Sequence, residues 1–341
     1  AVKGLELYKG DIPAMYGGRL SSVVDVRMND GNATSYHGQG GLGTISSRLM
    51  LEGPIQKDKS SFMVAGRRTY ADIFLALSRD EQIRNNTLYF YDLNAKANYI
   101  LNDRNRLFLT GYFGKDVFKN DNFELGWGNT TSTLRWNHLF NSSLFSNFSL
   151  IYSKFNYNLG VPDGQPNPFE WKAGMEDVSL KGDFTWFADD KNTIRIGLIG
   201  TNHRFQPGVA GGKGSDTPFN RIEMPENPAL EAAVYISNEQ KISALLTMQY
   251  GLRFSLFSNY GPATVYAYDE AFERYDSVTY GKGKIFNTYT ALEPRVSLAY
   301  TLTEFSSLKA AYTRNVQYIH LAQNSTGGTP LDIWFPSSPN V

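Results

Sequence analysis

The chain has no cysteine among its 341 residues. Neither a disulfide framework nor a thiolate metal site is therefore open to it. It has no apolar run of about 18 residues, which excludes a transmembrane helix. It has no excess of either charge: 33 Lys and Arg stand against 33 Asp and Glu. That balance argues against nucleic acid as the main partner. Histidine is scarce, and His37, His138, His203 and His320 form no metal-ligand spacing. The Gly208–Gly214 stretch fails as a phosphate-binding loop twice, in the spacing of Gly208 from Gly212 and in Gly214 after Lys213. No nucleophile is paired with a positioned base. An enzymatic role therefore ranks last, and no metal or cofactor is expected. No signal peptide opens the chain, whose first residues read as strand, and its last residues read as a loop. The expectation is an internal piece of a longer protein.

Aromatic residues are abundant: 21 Tyr, 22 Phe and 5 Trp make up 14% of the chain. Yet the mean hydropathy is −0.36. An outer-membrane barrel combines these two properties, because only alternate residues meet lipid. A soluble β-sandwich can combine them too. The strand Tyr89–Leu101 separates these alternatives. One face reads Tyr89, Tyr91, Leu93, Ala95, Ala97, Tyr99, Leu101, and the other Phe90, Asp92, Asn94, Lys96, Asn98, Ile100. Tyr89 and Tyr99 lie ~33 Å apart along the strand. A tilt of ~40° leaves ~25 Å of height, the thickness of the apolar band on such a barrel. Ala244–Leu256 repeats the pattern, with Leu246, Met248, Leu252 and Phe254 on one face and Thr247, Gln249, Gly251 and Arg253 on the other. The first faces are expected toward lipid and the second toward a wet or plugged interior.

Thirteen strands are predicted, at 35–43, 46–54, 62–75, 88–101, 106–118, 123–139, 144–159, 173–187, 193–205, 229–241, 244–258, 285–302 and 307–321. No convincing helix is found after Thr34. Short connections, such as 102–105 and 188–192, alternate with long ones at 76–86, 115–122, 160–172, 207–228, 259–284 and 321 onward. Short periplasmic turns and long extracellular loops alternate in this way in outer-membrane barrels. An odd strand count does not close a single-chain bacterial barrel. The long loops carry Trp127, Trp171, Tyr260, Tyr275 and Trp334, with acids such as Asp121, Glu170 and Asp269 nearby. Aromatic platforms beside polar groups suit sugars, macrocycles and siderophores, so these five are the candidate ligand contacts. The competing account is a girdle of aromatics at the membrane interface.

The segment Gly10 to Asn32 reads differently. Pro13 stops regular structure, Gly17-Gly18 permits a tight turn, and a short strand around Val23–Met28 ends at Asp30-Gly31-Asn32. With Tyr16-Gly17-Gly18-Arg19-Leu20 and Ser22-Val23-Val24-Asp25-Val26, it resembles the end of the plug domain of TonB-dependent outer-membrane receptors, in wording typical of Bacteroidota.

The resemblance implies an all-β transmembrane antiparallel barrel of 22 strands. About 13 of these are expected here at 34–341, after the end of a plug at 1–33. It implies a receptor in the outer membrane of a Gram-negative bacterium. Such a receptor binds a scarce nutrient (siderophore, cobalamin, glycan or peptide) at its extracellular loops and imports it. The implied partners are the TonB-ExbB-ExbD complex, outer-membrane lipid, a small nutrient ligand and a surface lipoprotein. Arg19, Asp25 and Arg27 are then expected to make polar contacts between plug and lumen wall. A non-transport or passive barrel (an adhesin, a porin-like channel or a secretion component) would keep the alternation without needing a plug.

Overall fold

The computed structural model describes residues 2–213, 218–323 and 332–339. The chain opens with β1 (Val2–Tyr8) and β2 (Val23–Met28), an antiparallel pair separate from everything that follows. The main sheet begins with β3 (His37–Leu42), β4 (Ser46–Gln56) and β5 (Ser60–Thr69). Two short helices follow, α1 (Ala71–Leu75) and α2 (Glu81–Arg84). The long strands are β6 (Thr87–Asn102), β7 (Asn105–Lys119), β8 (Glu124–Leu139), β9 (Leu144–Gly160), β10 (Phe169–Phe187) and β11 (Asn192–Gly212). After the two-residue β12 (Ile222–Glu223) come β13 (Asn227–Lys241) and β14 (Leu246–Tyr260). A loop hairpin, β15 (Ala263–Tyr268) and β16 (Arg274–Tyr280), precedes β17 (Ile285–Thr303) and β18 (Ser306–Thr313). A last hairpin pairs β19 (Ile319–Gln323) with β20 (Asp332–Pro336).

Each main-sheet strand pairs antiparallel with its predecessor and successor, from β3 through β11, β13, β14 and β17 to β18. β12 extends the outer end of β11. Among the described residues β3 and β18 do not pair with each other, so the sheet is open. The predicted strands match this path one for one. The alternation is legible because each strand buries only one face. On β14, Leu252 is 41% exposed and Arg253 3%. Thr247, Gln249, Arg135, Asp183 and Tyr235 line one interior cavity of about 1270 Å³ together with Glu6, Tyr8, Asp25 and Arg27 of the N-terminal unit. Lys96 and Asn98 also face that unit. The opposite face exposes Leu109, Leu134, Leu150, Leu180, Leu198, Val234 and Phe254.

Several local expectations need correction. Helices do occur after Thr34. The strand predicted to reach Leu75 stops at Thr69, because residues 71–75 turn helical. Asp80 caps the second helix by accepting from the Gln82 N–H at 2.9 Å. The long connection predicted at 115–122 is a tight turn. β7 runs to Lys119, and the Asn120 side chain accepts from the Asn122 and Phe123 N–H groups. β10 and β11 reach into segments expected to be loops, and the loops at 259–284 and after 313 each hold a hairpin. β18 ends at Thr313, short of the predicted 321, because the chain there turns away from the sheet.

Candidate functional site

The N-terminal unit meets the inner face at two places. The first is the segment between β1 and β2. The Tyr16 N–H donates to the Pro13 carbonyl at 3.0 Å, forming a turn that aims several carbonyls outward. Ile12 and Ala14 are buried. On the wall, Glu293 is 1% exposed and lies between two guanidinium groups. Arg295 Nη2 donates to its Oε2 at 2.9 Å, and Arg253 Nε lies 3.7 Å from Oε1. Two cations against one carboxylate leave a buried excess of positive charge. Carbonyl oxygens of the N-terminal unit offset it. Arg295 Nη1 donates to Ile12 (3.2 Å), Pro13 (2.5 Å) and Tyr16 (2.6 Å), and Arg253 Nη1 to Ala14 (3.4 Å). Burying that charge is tolerable only with such partners. At Gly17 a Cβ would collide with the Arg253 guanidinium, which would have to shift from its contacts with Ala14 and Glu293. Gly18 has φ +74, and its missing Cβ faces Glu231 Oε1.

The second contact is at the end of β2. Lys96 Nζ donates to Asp30 Oδ1 at 2.7 Å and to the Met28 carbonyl at 3.0 Å. The Asp30 carbonyl accepts from Asn98 Nδ2 (2.7 Å) and Ser61 Oγ (2.8 Å). Burial alone would raise the Asp30 pKa. The hydrogen bond and charge of Lys96, with Arg106 and Lys3, more than offset that and hold it below the usual carboxylate value. Thr313 of β18 adds a bond to the Gly10 carbonyl at 2.8 Å.

The three charged residues expected to bridge unit and wall sit elsewhere. Asp25 accepts from the Tyr16 hydroxyl at 3.1 Å and pairs with Arg27, which also reaches Glu6 at 3.1 Å. Burial, followed by Asp25, drives the Tyr16 hydroxyl pKa upward. Arg19 donates to the adjacent Gly18 carbonyl and lies over the Trp334 ring, 5.9 Å from its centre. These side chains satisfy one another within the unit and border the cavity. The direct wall contacts use Asp30 and main-chain carbonyls, the latter invisible to a reading by charge. The pattern that could have exposed them is a run of unpaired carbonyls around Pro13 opposite Arg253 and Arg295 on inward-facing registers.

At the long-loop end the interior is aromatic. Phe205, Ala229, Phe257, Tyr318 and Ile319 form a buried cluster, with Met175, Tyr289 and Trp334 packed on it. Tyr318 stacks on Phe257, their centres 5.1 Å apart. The β19–β20 hairpin therefore folds into the interior. Beside the cluster, buried His203 Nδ1 lies 2.8 Å from Asp177, and Nε2 is 3.5 Å from Glu231.

The five predicted aromatic contacts do not converge. Trp334 is inside, between the cluster and Arg19. Trp127 pairs in register with Tyr157, and Trp171 with Leu159, both on the inward side. Trp171 covers Gly208, where a Cβ would strike its indole nitrogen. Tyr260 donates to Asn202 at 2.7 Å on the outward register, as a girdle residue would. Tyr275 is 70% exposed on the β15–β16 hairpin.

No protein-family model matches the chain, and no curated protein matches it. Solved structures do. The copper transporter OprC superposes with a TM-score of 0.66 at 10% identity, over 91% of this chain and 50% of that one. BauA, the ferric preacinetobactin receptor of Acinetobacter baumannii, gives 0.64 at 11% identity, over 97% and 55%. The outer-membrane ferripyoverdine receptor of Pseudomonas aeruginosa gives 0.64 at 13%, over 95% and 47%. The all-β fold is therefore that of the TonB-dependent outer-membrane receptor barrels. The chain spans about half the length of each of these structures.

Proposed function

We propose that the protein is a TonB-dependent receptor of Bacteroidota type in the outer membrane of a Gram-negative bacterium, importing a scarce nutrient into the periplasm. Residues 1–33 act as the end of its plug and residues 34–341 as barrel wall. The observation that carries this reading is the seating of a small folded unit against the inner face by polar contacts, in the fold of outer-membrane receptors. Arg295 and Arg253 hold four carbonyls at one end, and Lys96, Asn98 and Ser61 hold Met28 and Asp30 at the other. Each such hydrogen bond is worth about 1 kcal/mol net. Together they keep the unit at rest, yet they can break one after another under a directed pull. An apolar contact of equal area would lack that property.

In this reading the TonB-ExbB-ExbD complex supplies the pull through the plug. The nutrient (siderophore, cobalamin, glycan or peptide) is met at the long-loop end by the inward aromatics Trp127, Trp171 and Trp334. Tyr260 and Tyr275 contribute at the rim, and a surface lipoprotein is a further candidate partner there. Arg19, Asp25 and Arg27 keep the unit's cavity face polar. Trp334 over Arg19 links the loop end to that unit. The test compares nutrient-limited growth and uptake of labelled candidate nutrients in TonB-positive and TonB-deficient cells carrying the protein. Uptake lost with TonB is expected. Uptake unchanged without TonB would replace the importer by a passive barrel.

A further inference from the structure

The outward face carries a second candidate site. A cleft of about 780 Å³ opens between the upper ends of β7–β11 and the strand at Ile222–Glu223. Cross-strand register places Lys115, Gly128, Asn156, Gly174 and Gln206 on one rung of that face. Gly114, Trp127, Tyr157 and Ala173 alternate with these rungs. Their side chains turn inward by the same register. On the outward rung only Gly128 and Gly174 present bare backbone. At Gly174 this is obligatory, since a Cβ would stand 2.6 Å from the Phe155 carbonyl.

Its height on the wall is fixed by the same register. The outward rows are apolar at Leu109, Leu134, Leu150 and Leu180. Tyr152 follows one rung higher, and Asn156 four residues beyond Tyr152. Four residues span ~13 Å of strand, or ~10 Å of height at a tilt of ~40°. The cleft therefore stands just above the apolar belt, at headgroup level if that belt faces lipid.

Its chemistry selects the ligand. Most nearby cations are neutralised: Lys172 pairs with Glu170 at 2.7 Å, Arg204 with Glu226 at 3.6 Å, and Lys213 with Glu124. Lys115 makes no ion pair among the described residues, but it shares the lining with Glu223 and Glu226, so an anionic ligand would meet one cation against two acids. What remains is amide and hydroxyl. The side-chain amides of Asn156 and Asn158 make no hydrogen bond among the described residues, and each offers both donors and an acceptor. Thr130 adds a hydroxyl, and Phe113, 43% exposed, supplies a ring at the lower rim. Groups that donate and accept, beside an apolar ring, match the hydroxyls and C–H face of a sugar. We infer that this outward cleft binds a hydroxyl-rich saccharide, separately from any transported nutrient. The saccharide is either the headgroup of an outer-leaflet glycolipid or a free oligosaccharide.

The test uses the protein purified from membranes in detergent, with no transport step. The probes are a rough lipopolysaccharide, the oligosaccharide released from it, and its lipid A portion. The variant Asn156→Ala/Asn158→Ala removes the two unpaired outward amides, with Thr133→Ala, in the interior cavity, as an inward control and gel heat-modifiability as the folding check. Saccharide binding should weaken about tenfold in the double variant and stay unchanged in Thr133→Ala. Equal affinity for the free oligosaccharide and the lipopolysaccharide would assign a free-sugar ligand. Tighter binding of the lipopolysaccharide alone would assign the headgroup. The inference is overturned if a folded double variant binds every probe as the parent does, or if lipid A, which lacks the core oligosaccharide, binds as tightly as the whole glycolipid. Neither result depends on TonB, so the importer reading stands or falls separately.

Discussion

Replacing Arg295 by methionine isolates the grip of the wall on the N-terminal unit. The change keeps most of the side-chain volume but removes four hydrogen bonds, three to carbonyls and one to Glu293. Glu293 is then left with Arg253 at 3.7 Å, a contact too long for a good hydrogen bond. Breaking a buried ion pair by deleting one partner costs about 3–5 kcal/mol, since the other charge stays desolvated. The carbonyls of Ile12 and Tyr16 lose their Arg295 partner as well, and that of Pro13 keeps only the Tyr16 N–H. Arg295→Lys retains charge but not the planar fork that reaches several oxygens at once, so it should recover only part of the loss. The assay is urea unfolding in detergent, paired with trypsin cleavage at Lys9 and Arg19 under native conditions. The expected result is a loss of at least ~3 kcal/mol for methionine, with cleavage at both sites accelerated. A loss under ~1 kcal/mol with unchanged cleavage would show that the arginine does not hold the unit.

Gly17→Ala should mimic part of that effect, because its Cβ must displace the Arg253 guanidinium; the same trypsin assay reads it. Asp30→Asn should destabilise the protein at pH 7 by weakening the Lys96 contact. Because the folded Asp30 value lies below the unfolded one, its contribution is complete above the unfolded range near ~4. It fades as pH falls through the folded value, so melting curves of parent and variant should converge toward pH 3, and a gap that persists there would refute the assignment. On the outward face, Leu252→Arg should cost about 2–4 kcal/mol in lipid vesicles if the site lies near the bilayer midplane. A folding titration showing no loss would contradict lipid contact at that wall.

The strands were legible because Leu252 and Arg253 alternate environments residue by residue, and a period of two survives in sequence over long strands. The loops were less legible. Residues 71–75 and 81–84 make only about a turn of helix each, too short for a helical period to stand out. The hairpins β15–β16 and β19–β20 are short strand pairs in segments dominated by turn residues. The tight turn after Lys119 was mistaken for a loop because Asp116, Lys119 and Asn120 resemble loop composition, although β7 continues through most of them. Site residues were harder for a different reason. Arg19, Asp25 and Arg27 attract notice as charges, but each finds its partner within a few residues or on a ring. Arg295 and Arg253 act on main-chain oxygens 239 to 283 residues away in sequence, and no local pattern marks those oxygens. The turn expected at Gly17-Gly18 is closed one step earlier, between Pro13 and Tyr16; of the two glycines only Gly18 takes positive φ, and the neighbours that crowd them can be named only from the fold.

The most direct measurement concerns whether the N-terminal unit must leave the wall for transport. Ala14 Cβ and Ser237 Cβ lie 3.1 and 2.8 Å from the point where a Gly251 Cβ would stand. Ala14→Cys with Ser237→Cys therefore offers a disulfide between unit and wall in a chain with no other cysteine. Uptake and surface binding of the nutrient identified in the growth assay are measured in TonB-positive cells, before and after reduction. The account predicts that the oxidised protein binds but does not import, and that reduction restores import. Import at the parental rate with the disulfide fully formed would contradict it.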